Sequence, residues 1–412
     1  MLIDHGVTIQ AGESKDCRNA IYDTKSELNK RIDRKRIVSD LKTLIGIRSV
    51  NPAGSVAKEG TGEREIAEHY AQEMRAIGMD IRVDEVAEGR VNVFGRLHGS
   101  GTVEPLMLAG HLDTVDGDED QFQAYDDGQR VYGRGACDMK ASLAVYLEVA
   151  RIVAESGLKL KGDLIVGGVC DEEFKMTGSR YVGANGPSAG QCIIGEPTEL
   201  WVAPSNKGQL CLFVRTFGKA VHSSVPEEGI NAIEMMMKAL EALHDYHKTL
   251  RARVPDPRCG TASFNAGVIR GGMMASAVPD FCEVEINRRL LPGETKEQVY
   301  DELRAILDRI GADDPRFRYE LSEPTFDVSA NTIAEDEPVV QSLLDSFVEN
   351  TGLERRSVCL PYGTGAPNMG MPTVICRPGS ISQAHGKNEY CDIDQMEKAA
   401  RMYLAAVVDL LL

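Results

Sequence analysis

The 412-residue sequence lacks several features, and each absence excludes a class of protein. Positive charge is scarce: 46 Lys and Arg residues face 63 Asp and Glu residues, which gives a formal net charge of −17. Nucleic acids and anionic membranes are bound through basic surfaces, so we expect no partner of either kind. No apolar run approaches the roughly 20 residues that span a bilayer, and residues 1–15 do not have the pattern of a signal peptide. These absences predict a cytoplasmic protein.

The ten cysteines include no Cys-x-x-Cys pair. Most of them lie inside apolar runs, as Cys170, Cys192 and Cys211 do. Thiolate zinc sites use closely spaced pairs, and disulfide frameworks are typical of small secreted chains. We therefore expect reduced, buried thiols rather than a disulfide framework or a thiolate zinc site. Cys137, which precedes Asp138, is interpreted as a packing residue.

Hydrophobic residues make up 42% of the chain and charged residues 26%, which predicts a globular protein with a sizeable core. Residues 1–35 are polar and are predicted to form an extension, with a helix from about Lys15 to Arg36. Helical and strand patterns then alternate, so residues 36–205 and 325–412 are predicted to form one layered α/β domain. Residues 206–324 read β-α-β-β-α-β, which predicts an inserted ferredoxin-like domain.

The segment from Leu106 to Lys140 carries the first candidate ligands. Leu106–Ala109 has the pattern of a buried strand, and His111 and Asp113 follow it on one side of an extended backbone. A carboxylate behind an imidazole fixes the tautomer of the ring and raises its basicity, as in many metal sites. Asp138 follows in a glycine-rich turn, and the acidic loop Asp116–Asp120 between them is interpreted as solvated surface.

Further acids and a histidine follow later predicted strands. In open α/β sheets the carboxyl ends of the strands meet at one crevice, so we expect these side chains to share a pocket. Two histidines with several carboxylates suit zinc, with cobalt or manganese as substitutes. One carboxylate would bridge two ions about 3.5–4 Å apart, and one acid would stay free to move a proton in hydrolysis. The set is His111, Asp113, Asp138, Glu172, Glu173, Glu196 and His385.

Four motifs in this order resemble the co-catalytic zinc amidohydrolase and peptidase family. That family contains acetylornithine deacetylase, succinyl-diaminopimelate desuccinylase, aminoacylase and glutamate carboxypeptidase. The resemblance runs from about Val38 to the C-terminus and implies a zinc-peptidase-like α/β catalytic domain with an inserted ferredoxin-like α+β dimerisation, or lid, domain. It therefore also implies a homodimer. The motifs are Gly-His-Leu-Asp-Thr-Val at 110–115, Gly-Arg-Gly-Ala-Cys-Asp-Met-Lys at 133–140, Asp-Glu-Glu at 171–173 and Ala-His-Gly-Lys-Asn-Glu at 384–389.

The resemblance implies a set of five ligands for two divalent metal ions. Asp138 matches the carboxylate that bridges the ions. His111 and Glu196 match the ligands of one zinc, and Glu173 and His385 match those of the other. The family often has a cis peptide bond after the bridging Asp, which here is the bond to Met139.

The resemblance also implies roles in catalysis. Glu172 matches the general base that takes a proton from the attacking water, and Asp113 matches the acid that orients His111. His222 matches a histidine of the inserted domain that reaches the partner subunit's active site and helps to hold the developing oxyanion. Arg289 matches an arginine that grips the carboxylate of the substrate, for which a bidentate guanidinium is suited.

Two positions differ from the family pattern. Ser276, in Ser-Ala-Val-Pro-Asp, stands where the family often has Asn. Gly365 ends Tyr-Gly-Thr-Gly at 362–365, where the family often reads Gly-Gly-Thr-Asp. Both segments contact the substrate in relatives, so the identity of the substrate stays open.

Three functional hypotheses follow. The first is hydrolysis of the amide bond of an N-acyl amino acid, such as an N-acetyl or N-succinyl compound. The second is a dipeptidase or glutamate-carboxypeptidase-like metallopeptidase with the same fold and metals. The third is a relative without catalysis that binds amino-acid-like ligands or acts as a scaffold, but all five ligand positions are filled, which argues against it.

Overall fold

The computed structural model describes residues 15–53 and 61–412, with side chains from residue 21. None of the helices in these ranges is long and apolar enough to cross a membrane. The α-helices are α1 Lys15–Asn29, α2 Arg34–Gly46, α3 Arg64–Ile77, α4 Lys140–Ser156, α5 Thr177–Asn185, α6 Ala232–Ala252, α7 Lys296–Asp313, α8 Pro338–Thr351 and α9 Ile393–Leu411. The strands are β1 Asp80–Ala87, β2 Arg90–Leu97, β3 Leu106–His111, β4 Tyr125–Asp126, β5 Arg130–Tyr132, β6 Leu164–Val169, β7 Gln191–Ile194, β8 Ser205–Asn206, β9 Gly208–Phe217, β10 Ser263–Gly271, β11 Phe281–Leu290, β12 Arg318–Leu321, β13 Phe326–Val328, β14 Asn331–Thr332, β15 Cys359–Leu360, β16 Thr373–Ile375 and β17 Tyr390–Asp392.

A six-stranded sheet in the order β1-β2-β6-β3-β7-β16 forms the centre of the larger unit. Strands β6, β3, β7 and β16 are parallel to one another, whereas β2 is antiparallel to β6 and β1 is antiparallel to β2. Strand β3 is buried along its whole length because both faces are covered. Its residues Leu106 and Leu108 pack with α1–α4, α8 and α9 on one face, while Met107 and Ala109 pack toward α5 on the other. The predicted layered α/β fold is confirmed.

The inserted unit has the predicted order β-α-β-β-α-β, from β9 through α6, β10, β11 and α7 to β12. Its antiparallel sheet runs β10-β11-β9-β12, and β13 also pairs with β9. Alternate residues of β9, such as Leu210, Leu212 and Val214, are buried in the cluster formed with α6 and α7. Their neighbours Gln209 and Cys211 lie on the opposite, half-buried face. The division into a catalytic domain of residues 36–205 and 325–412 and an inserted domain of residues 206–324 remains a prediction.

The N-terminal helical prediction is wrong in one respect. A single helix over Lys15–Arg36 is replaced by α1 and α2, because the side chain of Asp33 accepts hydrogen bonds from the N–H groups of Lys35 and Arg36. This capping starts a new helix at Arg34. Helix α1 is tied to α9 by a 2.7 Å ion pair between Lys25 and Asp409.

The expectation of reduced thiols is also wrong for one pair of cysteines. Cys259 and Cys359 form a disulfide across a sequence separation of 100 residues. The bond joins a loop of the inserted unit to β15, and so large a separation leaves no spacing signal in the sequence. Cys170 and Cys192 are buried free thiols as expected, whereas Cys211 is a free thiol that is only half-buried.

Candidate metal centre

The candidate ligands lie at one edge of the central sheet, where its parallel strands end. His111 is the last residue of β3, Glu196 follows β7 by two residues, and Glu172 and Glu173 follow β6. His385 lies in the loop after β16. Because β6, β3, β7 and β16 are parallel neighbours, these segments all emerge at their carboxyl ends. Asp138 comes from the turn before α4 and completes the cluster.

Asp138 lies between the two histidines. Its Oδ1 is 3.1 Å from Nε2 of His111, and its Oδ2 is 3.5 Å from Nε2 of His385. The same His385 nitrogen is 3.1 Å from Oε2 of Glu173. Each oxygen of Asp138 therefore faces a different imidazole, as a carboxylate that bridges two ions would. The peptide bond from Asp138 to Met139 is cis, as the resemblance implies.

His111 presents its Nε2 atom toward the cluster in a defined tautomer. Its Nδ1 is 2.9 Å from the carbonyl oxygen of Asp113, and a carbonyl can only accept a hydrogen bond. Nδ1 therefore carries a proton, so Nε2 of the neutral ring has a lone pair for a metal.

Two sets of donor atoms have the spacing of a metal site. His111, Glu172 and Glu196 form one set, and His111, Asp138 and Glu173 form the other, with all ligand atoms of a set within 4.8 Å. Glu172, which the resemblance makes the general base, therefore also lies at ligand distance. Oε1 of Glu173 and Oε1 of Glu196 are buried without a hydrogen-bond partner among the described residues. Such oxygens are costly to bury unless a cation meets them, so this donor set fits divalent metal ions.

Without a bound cation, burial and the neighbouring groups shift the pKa values of the candidate ligands away from the forms that bind metal. Burial and the negative charge of Asp138 raise the pKa of Glu196 to about 8. Burial and Glu196 raise the pKa of Glu172 well above its usual range. Hydrogen bonds with Asp138 and Glu173 raise the pKa of His385 to about 10. A bound cation would favour the charged carboxylates and the neutral imidazole, which are the forms that bind metal.

Asp113 connects two of the ligand segments. Its carboxylate accepts hydrogen bonds of 3.1 Å from the backbone N–H groups of both Glu172 and Glu173. It also accepts one of 2.6 Å from the side chain of Asn51, and it lies 3.5 Å from Nδ1 of His111. The predicted contact between Asp113 and His111 is therefore joined by a second one, which holds the loop after β6.

Asp171, to which sequence reasoning gave no role, anchors the start of that loop. It is buried, has a φ of +63°, and accepts hydrogen bonds from Arg90 at 3.0 Å and from the hydroxyl of Thr177 at 2.7 Å. Arg90 also makes a bidentate ion pair with Glu63, whose carboxylate accepts the N–H of Asp171. The only signal in the sequence was the position of Asp171 directly before Glu172.

Sequence reasoning also missed Arg377 and Glu389. Arg377 is fully buried and donates a 2.9 Å hydrogen bond to Oδ1 of Asp138. Glu389 accepts 2.9 Å hydrogen bonds from the N–H groups of Cys137 and Asp138, and a 2.6 Å bond from Arg134. Glu389 closes one of the quoted motifs and Arg377 follows β16, so a search for every charged residue near strand ends would have found both.

The structure does not bring His222 and Ser276 to this cluster. His222 is exposed, and its Nδ1 is 2.8 Å from the hydroxyl of Ser224. Ser276 is exposed, and its backbone carbonyl oxygen accepts the N–H of Ser223 at 3.0 Å. Within residues 15–53 and 61–412, no hydrogen bond or ion pair joins either residue to a candidate ligand.

Arg289 lies on the face of the inserted sheet that α6 and α7 do not cover. It donates a 2.6 Å hydrogen bond to Gln209, and no described carboxylate forms an ion pair with it. The adjacent Arg288 is fully buried and pairs with Glu294 at 2.6 Å. Of the two neighbouring arginines, Arg289 is therefore the one without an acidic partner.

The segment 362–365 lies beside both Pro197 and Gln209. The hydroxyl of Tyr362 donates a 2.6 Å hydrogen bond to the carbonyl oxygen of Pro197, which follows Glu196. A Cβ placed on Gly363 would lie 3.7 Å from Cβ of Gln209, the partner of Arg289. Gly365 is buried, and an added Cβ would lie only 3.1 Å from Cβ of Ser179.

The family model described as Peptidase family M20/M25/M40 matches residues 107–409. The chain is a member of this family. Similar curated relatives are acetylornithine deacetylases. That of Vibrio atlanticus is 33% identical over 359 residues, covering 83% of this chain and 92% of the relative. That of Vibrio cholerae is 30% identical over 380 residues, covering 90% and 98%.

Solved structures of the M20 family and of other peptidases share the fold. A tripeptidase from Staphylococcus aureus is 21% identical, with a TM-score of 0.74, covering 92% of this chain and 98% of that one. An M20 metallo-carboxypeptidase from Sulfolobus solfataricus is 17% identical, with a TM-score of 0.71, covering 91% and 98%. The predicted family resemblance is confirmed, and the chain is a metal-dependent hydrolase of amide bonds.

Proposed function

We propose that this M20 member cleaves the amide bond of an N-acyl amino acid, such as an N-acetyl or N-succinyl compound. Two zinc ions would be bound, with cobalt or manganese as substitutes. Asp138 would bridge them, His111 and Glu196 would hold one, and Glu173 and His385 the other. The placement of Asp138 between two imidazoles is the observation that carries the two-ion proposal. The acetylornithine deacetylases among its relatives support an acylated amino acid as substrate.

Glu172 would move the proton in this reaction. Divalent ions held there would polarise the acyl carbonyl and lower the pKa of a water so that it could attack near neutral pH. The carboxylate of Glu172 accepts the proton of that water and passes it to the leaving amine. Asp113 supports this step because it accepts the N–H of Glu172 and so fixes the backbone beside the general base.

Arg289 would bind the free carboxylate of the substrate. It has no acidic partner among the described residues, and Gln209 orients its guanidinium without neutralising its charge. The segment 362–365 supports this role, because Tyr362 contacts the residue after Glu196 and Gly363 lies beside Gln209, the partner of Arg289. Ser276 and Gly365 would contribute further substrate contacts, Gly365 through its backbone.

A homodimer would form through the inserted unit. Strand β10 is an edge of its sheet among the described strands, and an exposed edge strand offers unpaired backbone groups to a second chain. The residues along and after it include exposed Ile269, Met273 and Met274. Apolar exposure of this kind is typical of an interface. In such a dimer, we propose that His222 donates to the oxyanion in the partner's active site.

A hydrolysis screen tests this proposal. Protein purified without chelators is analysed for bound metal and then assayed with N-acetyl amino acids, N-succinyl amino acids and dipeptides, each with zinc, cobalt or manganese. We expect two ions per chain and turnover of acyl amino acids. Turnover of dipeptides alone would favour the peptidase hypothesis instead, and protein without divalent metal or turnover would support a scaffold. The cytoplasmic location and the lack of nucleic-acid and membrane partners remain predictions.

A further inference from the structure

His385 differs from the other candidate ligands in its surroundings. Its side chain is 53% exposed, whereas that of Glu173, which it contacts, is only 6% exposed. His385 also has a φ of +62° and lies in a turn between β16 and β17 rather than at the end of a buried strand. Because neither packing nor regular structure holds this ligand, other contacts must define its position.

Gln121 supplies such contacts from a distant part of the chain. It is buried in a 3-10 helix, Glu119–Phe122. Its side-chain Nε2 donates hydrogen bonds of 3.1 Å and 3.0 Å to the carbonyl oxygens of Gly386 and Lys387, the two residues after His385.

Gln121 is itself held in place. Its Oε1 accepts the backbone N–H of Asp118 at 2.9 Å, so the amide cannot rotate without losing three hydrogen bonds. Its carbonyl oxygen accepts the N–H of Arg134 at 2.7 Å, and Arg134 pairs with Glu389. Glu389 in turn accepts the N–H of Asp138, so Gln121 belongs to the same frame as the proposed bridging carboxylate.

A second contact between the two loops contributes less to the position of the His385 turn. Lys387 forms a 3.1 Å ion pair with Asp118, but their side chains are 74% and 65% exposed. Exposed ion pairs contribute little because water competes for both charges. The buried amide of Gln121 is therefore the main link between the acidic loop and the turn that carries His385.

We propose that Gln121 is a positioning residue that holds His385 in place for metal binding. The acidic loop Asp116–Asp120 then serves as a support for the last ligand rather than as solvated surface alone. This inference rests on the proposed function, in which His385 and Glu173 hold one ion and His111 and Glu196 the other. It adds that loss of the Gln121 amide weakens one ion site and spares the other.

The test is a zinc titration of metal-free protein. Gln121→Met keeps the size of the side chain but removes the amide, and Gln121→Glu keeps only the oxygen that accepts from Asp118. The matched control is Gln123→Met, because Gln123 is exposed two residues further on. Losing a group that orients a ligand weakens metal binding about 10- to 100-fold. We expect that loss only for the zinc held by His385 and Glu173. It should occur in both Gln121 variants and not in the control.

Two further measurements separate positioning from general damage. Loss of two or three hydrogen bonds should lower the thermal midpoint of the metal-free variants. Zinc binding at the site of His111 and Glu196 should nevertheless stay as in the wild type, and excess zinc should restore kcat. Wild-type affinity for both ions in both Gln121 variants would overturn this inference alone. Equal weakening of the two sites would also overturn it. A wild-type protein that binds fewer than two zinc ions would instead contradict the proposed two-ion function on which it rests.

Discussion

The larger unit, here called the catalytic unit, and the inserted unit differ in how their proposed active-site residues are held. The candidate ligands of the catalytic unit contact one another directly, and Asp113, Arg377 and Glu389 hold them from behind. The side chain of His222, in the inserted unit, is exposed, and its hydrogen bonds among the described residues are with Ser224. In the proposed dimer, one chain would therefore build the metal centre, whereas stabilisation of the oxyanion would need His222 of the second chain.

The largest expected effect tests the role of the catalytic unit. Glu172→Gln should lower kcat about 10²- to 10⁴-fold, the range for loss of a general acid–base group, while both metal ions stay bound. Assays with N-acyl amino acids and metal analysis of the same sample check both parts. Glu65→Gln, an exposed carboxylate on α3, is the control and should keep full activity. Near-normal turnover in Glu172→Gln would reject its role.

The next largest effect tests the role of the inserted unit. His222→Ala should lower kcat about 10²- to 10³-fold, as expected for loss of one oxyanion donor, without changing metal content. A lesser loss, below about tenfold, would argue against contact with the reacting atoms.

A mixing experiment sharpens the comparison further. In a symmetric dimer of His222→Ala and Glu172→Gln chains, one site would receive both Glu172 and His222 and the other neither. Mixing the two inactive variants under subunit exchange should therefore restore part of the activity. Glu172→Gln mixed with Glu173→Gln should restore none, because both changes affect the catalytic unit. If His222 acts within its own chain, the first mixture also stays inactive.

Arg289 and Arg288 allow a comparison of two neighbours. Arg289→Met should raise KM about 10- to 100-fold, because a hydrogen-bonded charged pair with the substrate carboxylate contributes about 1.5–3 kcal/mol. Arg288→Met should leave KM unchanged but lower the thermal midpoint, since it removes a partly buried 2.6 Å ion pair and leaves Glu294 only Arg253 at 3.7 Å. Steady-state kinetics and thermal unfolding distinguish them. Equal effects of the two changes on KM would place the substrate carboxylate elsewhere.

The sequence was informative where local pattern and topology act together. Apolar runs that end in an acid or a histidine predicted side chains at strand ends, and parallel strands bring these to one edge. The disulfide between Cys259 and Cys359 and the contacts of Gln121 with the His385 turn join segments that lie far apart in the chain. No periodicity encodes such pairs, because each depends on how two loops meet after folding. Arg377 was missed for a similar reason: its partner Asp138 lies 239 residues away.

The smallest expected effect concerns pH. In metal-free protein, burial raises the pKa of Glu196 from 4.5 to about 8, and hydrogen bonds raise that of His385 from 6.5 to about 10. Both groups bind more protons folded than unfolded, so their stabilising contribution is present at low pH and is lost as pH rises through these values. Zinc binds the deprotonated ligands, so the stabilisation that zinc provides increases as pH rises.

The gap in thermal midpoint between zinc-loaded and metal-free protein should therefore widen from about pH 6 to about pH 9. Glu196→Gln, whose amide cannot ionise, should flatten the metal-free profile at the acidic end of this range. A gap that stays constant or narrows would mean that these residues do not meet the cation. The proposed metal centre, rather than the inserted unit, would then be the part of the molecule to revise.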